Sequence, residues 1–522
     1  MTENKPSLPS SLAAKIALRA RAGKLCIAVA GRTPEELLGR ARASLCDARF
    51  LELRLDGLER PADILEKIKD LLLSERNLAV IATCRRVQGG GNFAGSLDEE
   101  LAVLLEAARV GCQIVDLEIE SAEEAGRDRI ALFKQELKAL GTALLVSFHD
   151  FAGLPDLDEA AGRIAAFAPD YLKIVATAQT LAENLPVLGM IGQLSARTQV
   201  VGIAMGEEGL VSRVLGLRAG AAFTFASASD GAGTAPGQVT ARAMREIYRA
   251  DQLDQATRIF GVAGNPIAHS LSPLMQNAAF RREGVNAVLL PLRCQSAADL
   301  FALAKGLPLA GSAVTMPLKQ QILEHLANVD PLTKRIGACN TLRRGEDGKL
   351  YGFNTDVAGV VRPLAKRLEL KGARVAILGA GGASRAAVFG LVDQGAQVTV
   401  VNRTHESAVR LADESGAEAL RYEEFKRQYF DVLLNSTPCG MAGSARALPI
   451  EPEDLNAGLV FDMVYNPLET PLLKLAREKG LPTISGVEMF VQQGVRQFEI
   501  WTGKPAPEAE MQRVVELALG KK

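Results

Sequence analysis

Short apolar, β-rich runs alternate with amphipathic stretches from residue 24 to about 250. The runs read "LCIAVAG", "RFLELRLDG", "LAVIATCRR", "QIVDLEIES", "ALLVSFHDF", "YLKIVATAQ", "TQVVGIAMG" and "AAFTFASAS". Between them lie segments such as "PADILEKIKDLLLS", in which apolar residues recur every three or four positions, as one buried face of a helix requires. Eight strand–helix units over residues 24–250 predict a (β/α)₈ barrel.

Alternate residues of a strand face opposite sides, so each run can be split into two faces. In "LELRLD" the leucines 51, 53 and 55 take one face and Glu52, Arg54 and Asp56 the other. In "IVDLEIE" the same rule groups Asp116, Glu118 and Glu120; in "VSFHD" it pairs Ser147 with His149. Helices cover the outside of a barrel, so the polar faces must point inward, where charges persist only when paired or used. Lys173, in "DYLKIVATAQ", shares its face with Tyr171 and Val175 and enters the same interior, either ion-paired to a carboxylate or poised for chemistry.

After the charged helical stretch "REIYRADQLDQATRIF" the pattern changes. "FGVAGNPIAHSLSPLMQNAAF" reads as strand, turn and helix, with the hydroxyls of "HSLSP" at the helix entrance either capping it or meeting a ligand. "AVTMPLK", "GACNTL" and "GFNTD" each put polar residues just past an apolar run, where open α/β sheets bind ligands. "ARVAILGAGGASRAAVFGLVDQGAQVTVVNRT" is strand, glycine turn, helix, strand. That is the context a dinucleotide fold requires, with Gly379, Ala380, Gly381, Gly382 and Ala383 at the pyrophosphate. Ser384 stands where the common fingerprint has its third glycine, so the helix must pack with a small side chain there. The second strand of this unit ends in Asn402-Arg403-Thr404 rather than an acid; nothing there repels a 2′-phosphate and a guanidinium can grip it, which favours NADP(H) over NAD.

Composition narrows the class. A chain of 522 residues exceeds one hydrophobic core, and 48% hydrophobic and 23% charged residues with a net charge of −1 describe a globular enzyme without a nucleic-acid or membrane partner. The N-terminal segment lacks an apolar core of signal-peptide length and no later segment is long enough to span a bilayer, so the expected location is cytoplasmic. The seven cysteines have no CxxC spacing, and no metal is expected.

The blocks "SFHDF", "YLKIV", "IAMGEEGLVSRVLG" and "TAPGQ", in that order over residues 24–250, resemble the type I 3-dehydroquinate dehydratases, lyases built on a TIM barrel. The resemblance implies that Lys173 forms a Schiff base with the substrate ketone, with His149 as general base and acid. It further implies that Arg213 clamps the substrate carboxylate, while Glu52, Arg54, Arg85, Thr234 and Gln238 hold hydroxyls and order the pocket. In "CRRVQGGGNFAGS" this chain has Gly89 where that family usually has an acid that orients the histidine. Either Asp116 or Glu118 substitutes, or this half is impaired.

The later motifs, closed by "DMVYNPLETP" and "GVEMFVQQGVRQFEIWTG", resemble shikimate dehydrogenase over residues 258–520. This implies a two-part α/β dehydrogenase: a substrate subdomain of about 258–357 joined by C-terminal helices of about 487–520, and a Rossmann-type NADP-binding subdomain of about 358–486, the whole filling 258–522. Lys319 and Asp356 are the implied catalytic pair, and Ser270, Ser272, Thr315, Asn340, Tyr465 and Gln493 the implied substrate contacts. Ala313 stands where the family often has asparagine. The two reactions are consecutive steps of aromatic amino acid biosynthesis, 3-dehydroquinate to 3-dehydroshikimate and then to shikimate. Two other readings stay open: a silent barrel attached to an active dehydrogenase, and a second half that oxidises quinate.

Overall fold

The computed structural model describes residues 23–75, 77–229 and 237–520. The chain divides into two compact units. The first runs to Thr257 and takes in Asp299–Leu307; the second comprises Arg258–Ala298 and the chain from Pro308 onward.

In the first unit eight parallel strands form one sheet: β1 (Leu25–Ala30), β2 (Phe50–Arg54), β3 (Ala79–Thr83), β4 (Ile114–Glu118), β5 (Ala143–His149), β6 (Tyr171–Thr177), β7 (Gln199–Met205) and β8 (Thr224–Ala226). Neighbours pair in chain order and β8 returns to β1; the Ala222 N–H donates to the Val200 carbonyl at 2.8 Å, drawing β7 toward β8 and closing the barrel. Leucines 51 and 53 are fully buried on the outer face, under the helices. Inside, Phe50, Ile114, Leu145, Tyr171 and Phe223 form an apolar layer at the N-terminal ends of the strands, with Phe50 and Phe223 edge to face at 5.0 Å. Above that layer the interior turns polar.

Two of the run boundaries differ from the alternation. β2 ends at Arg54 and a 3₁₀ turn (Leu55–Gly57) follows; β4 ends at Glu118 and a helix (Ile119–Ala125) starts at once. Glu120 therefore leaves the face it would share with Asp116 and Glu118, because the period of two stops where the helix begins.

The second unit has two sheets. The first is mixed, in order β10 (Ala287–Arg293), β9 (Arg258–Gly264), β11 (Leu309–Val314), β13 (Thr341–Arg344), β14 (Leu350–Phe353), β12 (Asn328–Val329). The helix Gly486–Thr502 lays Val487, Val491, Val495, Phe498 and Trp501 against Phe260 and Phe280, and Trp501 donates its indole N–H to the Leu342 carbonyl at 2.9 Å. The second sheet is wholly parallel: β17 (Glu418–Leu420), β16 (Gln397–Val401), β15 (Arg374–Leu378), β18 (Phe430–Asn435), β19 (Ala457–Asp462), β20 (Thr483–Ile484). Its order reverses between β15 and β18, which opens a crevice at the carboxyl ends of those strands.

Candidate active sites

The polar layer of the barrel lines a cavity of about 770 Å³ at the carboxyl ends of the strands, the end where barrels of this type place their chemistry. Glu52, Arg54, Arg85, His149, Lys173, Arg213 and Gln238 all line it; Thr234 falls outside the described residues. Lys173, in mid-β6, is 4% exposed, with Nζ 2.9 Å from Asp116 Oδ2, 3.5 Å from Glu52 Oε1 and 4.5 Å above the Phe225 ring. The buried lysine thus has carboxylate partners and also faces a cavity. Burial alone would lift the Glu52 carboxyl, but Lys173, Arg54 and Arg85 outweigh it and hold it low, while Thr83 donates to it at 2.8 Å.

His149 ends β5 and stacks on Phe151, their centroids 6.0 Å apart. Burial first, then Arg85, Lys173 and Arg54, hold its imidazole well below the ordinary histidine range, so it is neutral. Arg85 reaches His149 Nε2 at 3.1 Å and Glu118 Oε1 at 2.7 Å. Arg54 makes a bidentate pair with Asp56, both contacts 2.8 Å. Arg213 is almost fully buried in the cavity wall, and burial lowers its guanidinium to about 10. Phe225 and Phe151 were not singled out from sequence. Phe225 is legible there, since "TFA" alternates and puts it on the face of Lys173; Phe151 lies past the strand end, where no periodicity points to it.

In the second unit a cavity of about 380 Å³ collects Ser270, Ser272, Thr315, Lys319, Asn340, Asp356, Tyr465 and Gln493. Asp356 opens the helix Asp356–Ala365, where the dipole favours a carboxylate, and its Oδ2 takes a 2.6 Å hydrogen bond from Lys319 Nζ. Asn340 donates to Asp356 Oδ1 at 2.8 Å and to Thr355 Oγ1 at 3.1 Å, while its Oδ1 accepts from the Thr355 N–H at 2.7 Å. Its amide is engaged in holding Asp356. Gln493 donates to the Phe490 carbonyl at 2.7 Å, and Tyr465 stacks on Phe490 at 5.1 Å. Thr355, quoted in "GFNTD" but assigned nothing from sequence, completes the bracket behind Asp356. Ala313 lines this cavity with a methyl group.

The glycine turn follows β15. Gly379 has φ +115° and a Cβ there would fall 2.6 Å from Ser436 Oγ; Gly381 and Gly382 face open space, leaving the start of the helix Gly382–Asp393 approachable. Ser384 is buried, accepts from the Gly381 N–H at 3.1 Å and meets Ser436 Oγ at 2.6 Å, so it holds the turn as well as packing the helix. Asn402 donates to the Thr404 carbonyl at 2.9 Å, folding back the turn that carries the exposed Arg403. Open glycine backbone at a helix N-terminus and an arginine rather than an acid after β16 fit a dinucleotide with a 2′-phosphate. Among the described residues there is no group of His, Cys, Asp or Glu suited to hold a metal, and no helix long and apolar enough to cross a membrane.

Residues 25–255 match the type I 3-dehydroquinase family. Further on, residues 262–342 match the shikimate dehydrogenase substrate binding domain, 363–440 the shikimate/quinate 5-dehydrogenases and 486–516 the shikimate 5'-dehydrogenase C-terminal domain. A bifunctional 3-dehydroquinate dehydratase/shikimate dehydrogenase of Arabidopsis thaliana, described as chloroplastic, is 34% identical over 489 residues, covering 90% of this chain and 80% of the relative. The chain belongs to this bifunctional family. An NADP(+) shikimate dehydrogenase of Methanosarcina mazei is 42% identical over 277 residues, 50% of this chain and 99% of its own. A crystal structure of a shikimate dehydrogenase in complex with NADP+ covers 51% of this chain and 98% of its own at 33% identity, with a TM-score of 0.49.

Proposed function

We propose that this bifunctional family member works as a lyase and an oxidoreductase of the shikimate pathway. Residues 24–250 remove water from 3-dehydroquinate through a Schiff base on Lys173, and residues 258–522 reduce the resulting 3-dehydroshikimate to shikimate with NADPH. The observation that carries this reading is that each unit encloses its own cavity with a lysine held against a carboxylate, Lys173 at 2.9 Å from Asp116 and Lys319 at 2.6 Å from Asp356.

In the barrel the Lys173 amine adds to the ketone carbon and water leaves, forming the imine. Attack requires the neutral amine, and Asp116 is placed to accept the ammonium proton. The protonated imine draws electrons from the adjacent C–H. Neutral His149 takes that proton and then returns it to the departing hydroxyl, and hydrolysis of the conjugated imine regenerates Lys173. Arg213 meets the carboxylate; Glu52, Arg54, Arg85, Thr234 and Gln238 address the ring hydroxyls and order the cavity.

In the second unit Ser270, Ser272, Thr315, Tyr465 and Gln493 supply hydroxyl and amide groups for the substrate carboxylate and hydroxyls. Gly379, Ala380, Gly381, Gly382 and Ala383 seat the pyrophosphate of NADP(H), and Asn402, Arg403 and Thr404 its 2′-phosphate. The bound nucleotide supplies the hydride. Lys319 delivers the proton to the oxygen that becomes the alcohol, and Asp356, bracketed by Asn340, orients the ammonium and takes part in its reprotonation.

Borohydride trapping with 3-dehydroquinate, followed by peptide mass analysis, tests the first half. The expected outcome is an adduct on Lys173 together with dehydratase turnover without NADPH; neither adduct nor turnover would leave the barrel silent. For the second half, oxidation of shikimate and quinate is compared with each nucleotide, and a higher kcat/KM for quinate with NAD would overturn the assignment.

A further inference from the structure

In the second unit a line of hydrogen bonds between buried side chains ends on Asp356. It starts at Gln276, on the helix Ser272–Arg282, whose Nε2 donates to the Gly494 carbonyl at 2.9 Å and meets Gln497 Oε1 at 3.5 Å. Gln497 stands one turn past Gln493 on the helix Gly486–Thr502 and, like it, lines the cavity. Its Nε2 donates to Thr341 Oγ1 at 3.2 Å and to the Asn340 carbonyl at 3.4 Å. Thr341, the first residue of β13, lies 2.8 Å from Asn340 Oδ1 and 3.2 Å from Thr355 Oγ1. Gln276, Gln497, Asn340, Thr341 and Thr355 are all buried, so each contact replaces one with water.

The direction of every bond in the line is fixed by a backbone group. The Gly494 carbonyl only accepts, which makes the neighbouring end of Gln276 a donor and turns Gln497 Oε1 toward it. Gln497 therefore faces Thr341 with N–H. The Thr355 backbone N–H donates to Asn340 at 2.7 Å, so that end of the Asn340 amide is its oxygen. Thr341 approaches the same oxygen at 2.8 Å, and the proton between them is the hydroxyl's own. Gln497 occupies a lone pair of that hydroxyl and leaves its proton for Asn340.

Asn340 Oδ1 is thus held by two donors from different elements, the hydroxyl of β13 and the backbone ahead of the helix Asp356–Ala365. One donor would let the amide pivot about the contact; two fix its plane. Nδ2 then faces Asp356 Oδ1 at 2.8 Å, and Asp356 Oδ2 is left for Lys319 Nζ at 2.6 Å. A turned amide would set oxygen against the carboxylate and push it off the lysine. Among the described residues that line the cavity Thr341 does not figure, so its hydroxyl works from behind the site.

We propose that Thr341, held by Gln497, is a positioning residue of the dehydrogenase: its hydroxyl fixes the Asn340 amide and, through it, the oxygen that Asp356 offers to Lys319. This rests on the reading of Lys319 and Asp356 as the pair that moves the proton.

The test uses the full chain and shikimate oxidation with NADP+, with kcat expressed per NADPH-binding site so that unfolded chains do not count. Thr341→Val removes the hydroxyl and keeps the shape. It is expected to lower kcat about 10–100-fold, the cost of a misplaced reacting group, with KM for shikimate held within about threefold. The solvent deuterium isotope effect on kcat rises, because proton transfer becomes the slower part of the step. Thr341→Ser keeps the hydroxyl and returns kcat to within about threefold of wild type. Gln497→Leu alters a cavity wall as well, so it is read by kcat alone; the Thr341→Val/Gln497→Leu chain should fall no further than the slower single variant, since both cut one line. Wild-type kcat in Thr341→Val would overturn the proposal, as would equal losses in Thr341→Val and Thr341→Ser, or losses that multiply in the double variant. Full turnover in Lys319→Ala would instead overturn the assignment of the pair.

Discussion

Removing the Lys173 side chain takes away the proposed nucleophile and, for Asp116, a counter-charge at once. Lys173→Ala is expected to lose the borohydride adduct and dehydratase turnover to background. It also leaves Asp116 buried without its 2.9 Å partner, a loss of about 3–5 kcal/mol read as a lower urea midpoint. Lys173→Met with Asp116→Asn should recover much of that stability and none of the turnover. At His149 the prediction is a pH profile. With His149 as the proposed base the active form is the neutral imidazole, and burial with Arg85, Lys173 and Arg54 holds its pKa well below the usual range, so protonation sets in only at lower pH. Dehydratase kcat/KM should therefore hold steady as pH falls through about 6.5, where an ordinary histidine would titrate, and decline only below it. At Arg403, Arg403→Ala should weaken discrimination for NADPH over NADH by about 10–100-fold, the worth of a charge-assisted contact, measured as the ratio of the two kcat/KM values. Single residues of this kind were legible in the sequence wherever a charge interrupted an apolar alternation, as at Glu52, Asp116 and Lys173. The links between them were not. That Glu118 serves Arg85 while Asp116 serves Lys173 depends on rotamers and on the turn at Gly89, which no spacing encodes.

At the scale of elements, the glycine turn after β15 separates folding from binding. Gly379→Ala places a side chain at φ +115° and against Ser436, and is expected to cost more than about 1 kcal/mol, seen as a lowered Tm. Gly381→Val meets nothing in the protein, so its Tm should stay close to wild type while the KM for NADPH rises; an unchanged KM would remove Gly381 from the pyrophosphate site. The strand–helix rhythm of both halves was readable because most strands carry four to seven apolar or alternating positions between turn residues, β8, β12, β17 and β20 being shorter. The ends of the strands were less so. "LELRLD" and "IVDLEIE" continue their alternation past the points where the 3₁₀ turn at Leu55 and the helix at Ile119 begin, and only the closing of the barrel decides where β2 and β4 stop.

At the scale of the whole chain, the residues of each cavity come from one unit alone: those of the barrel site lie between Ala28 and Gln238, and those of the second between Val262 and Gln497. Among the described residues, each cavity therefore draws its lining from its own unit. A mixture of Lys173→Ala and Lys319→Ala chains, each expected to stop at one step, should convert 3-dehydroquinate to shikimate when NADPH is present, followed by nucleotide absorbance; failure of the mixture with both partners folded would show that a site borrows from the other unit. The apolar layer of Phe50, Ile114, Leu145, Tyr171 and Phe223 carries a kinetic meaning of its own. Among the described residues it closes the barrel below Lys173, so substrate and product share the mouth at the other end. Arriving 3-dehydroquinate and departing 3-dehydroshikimate must queue at the same threshold, and the dehydration product should inhibit its own formation in strict competition with substrate.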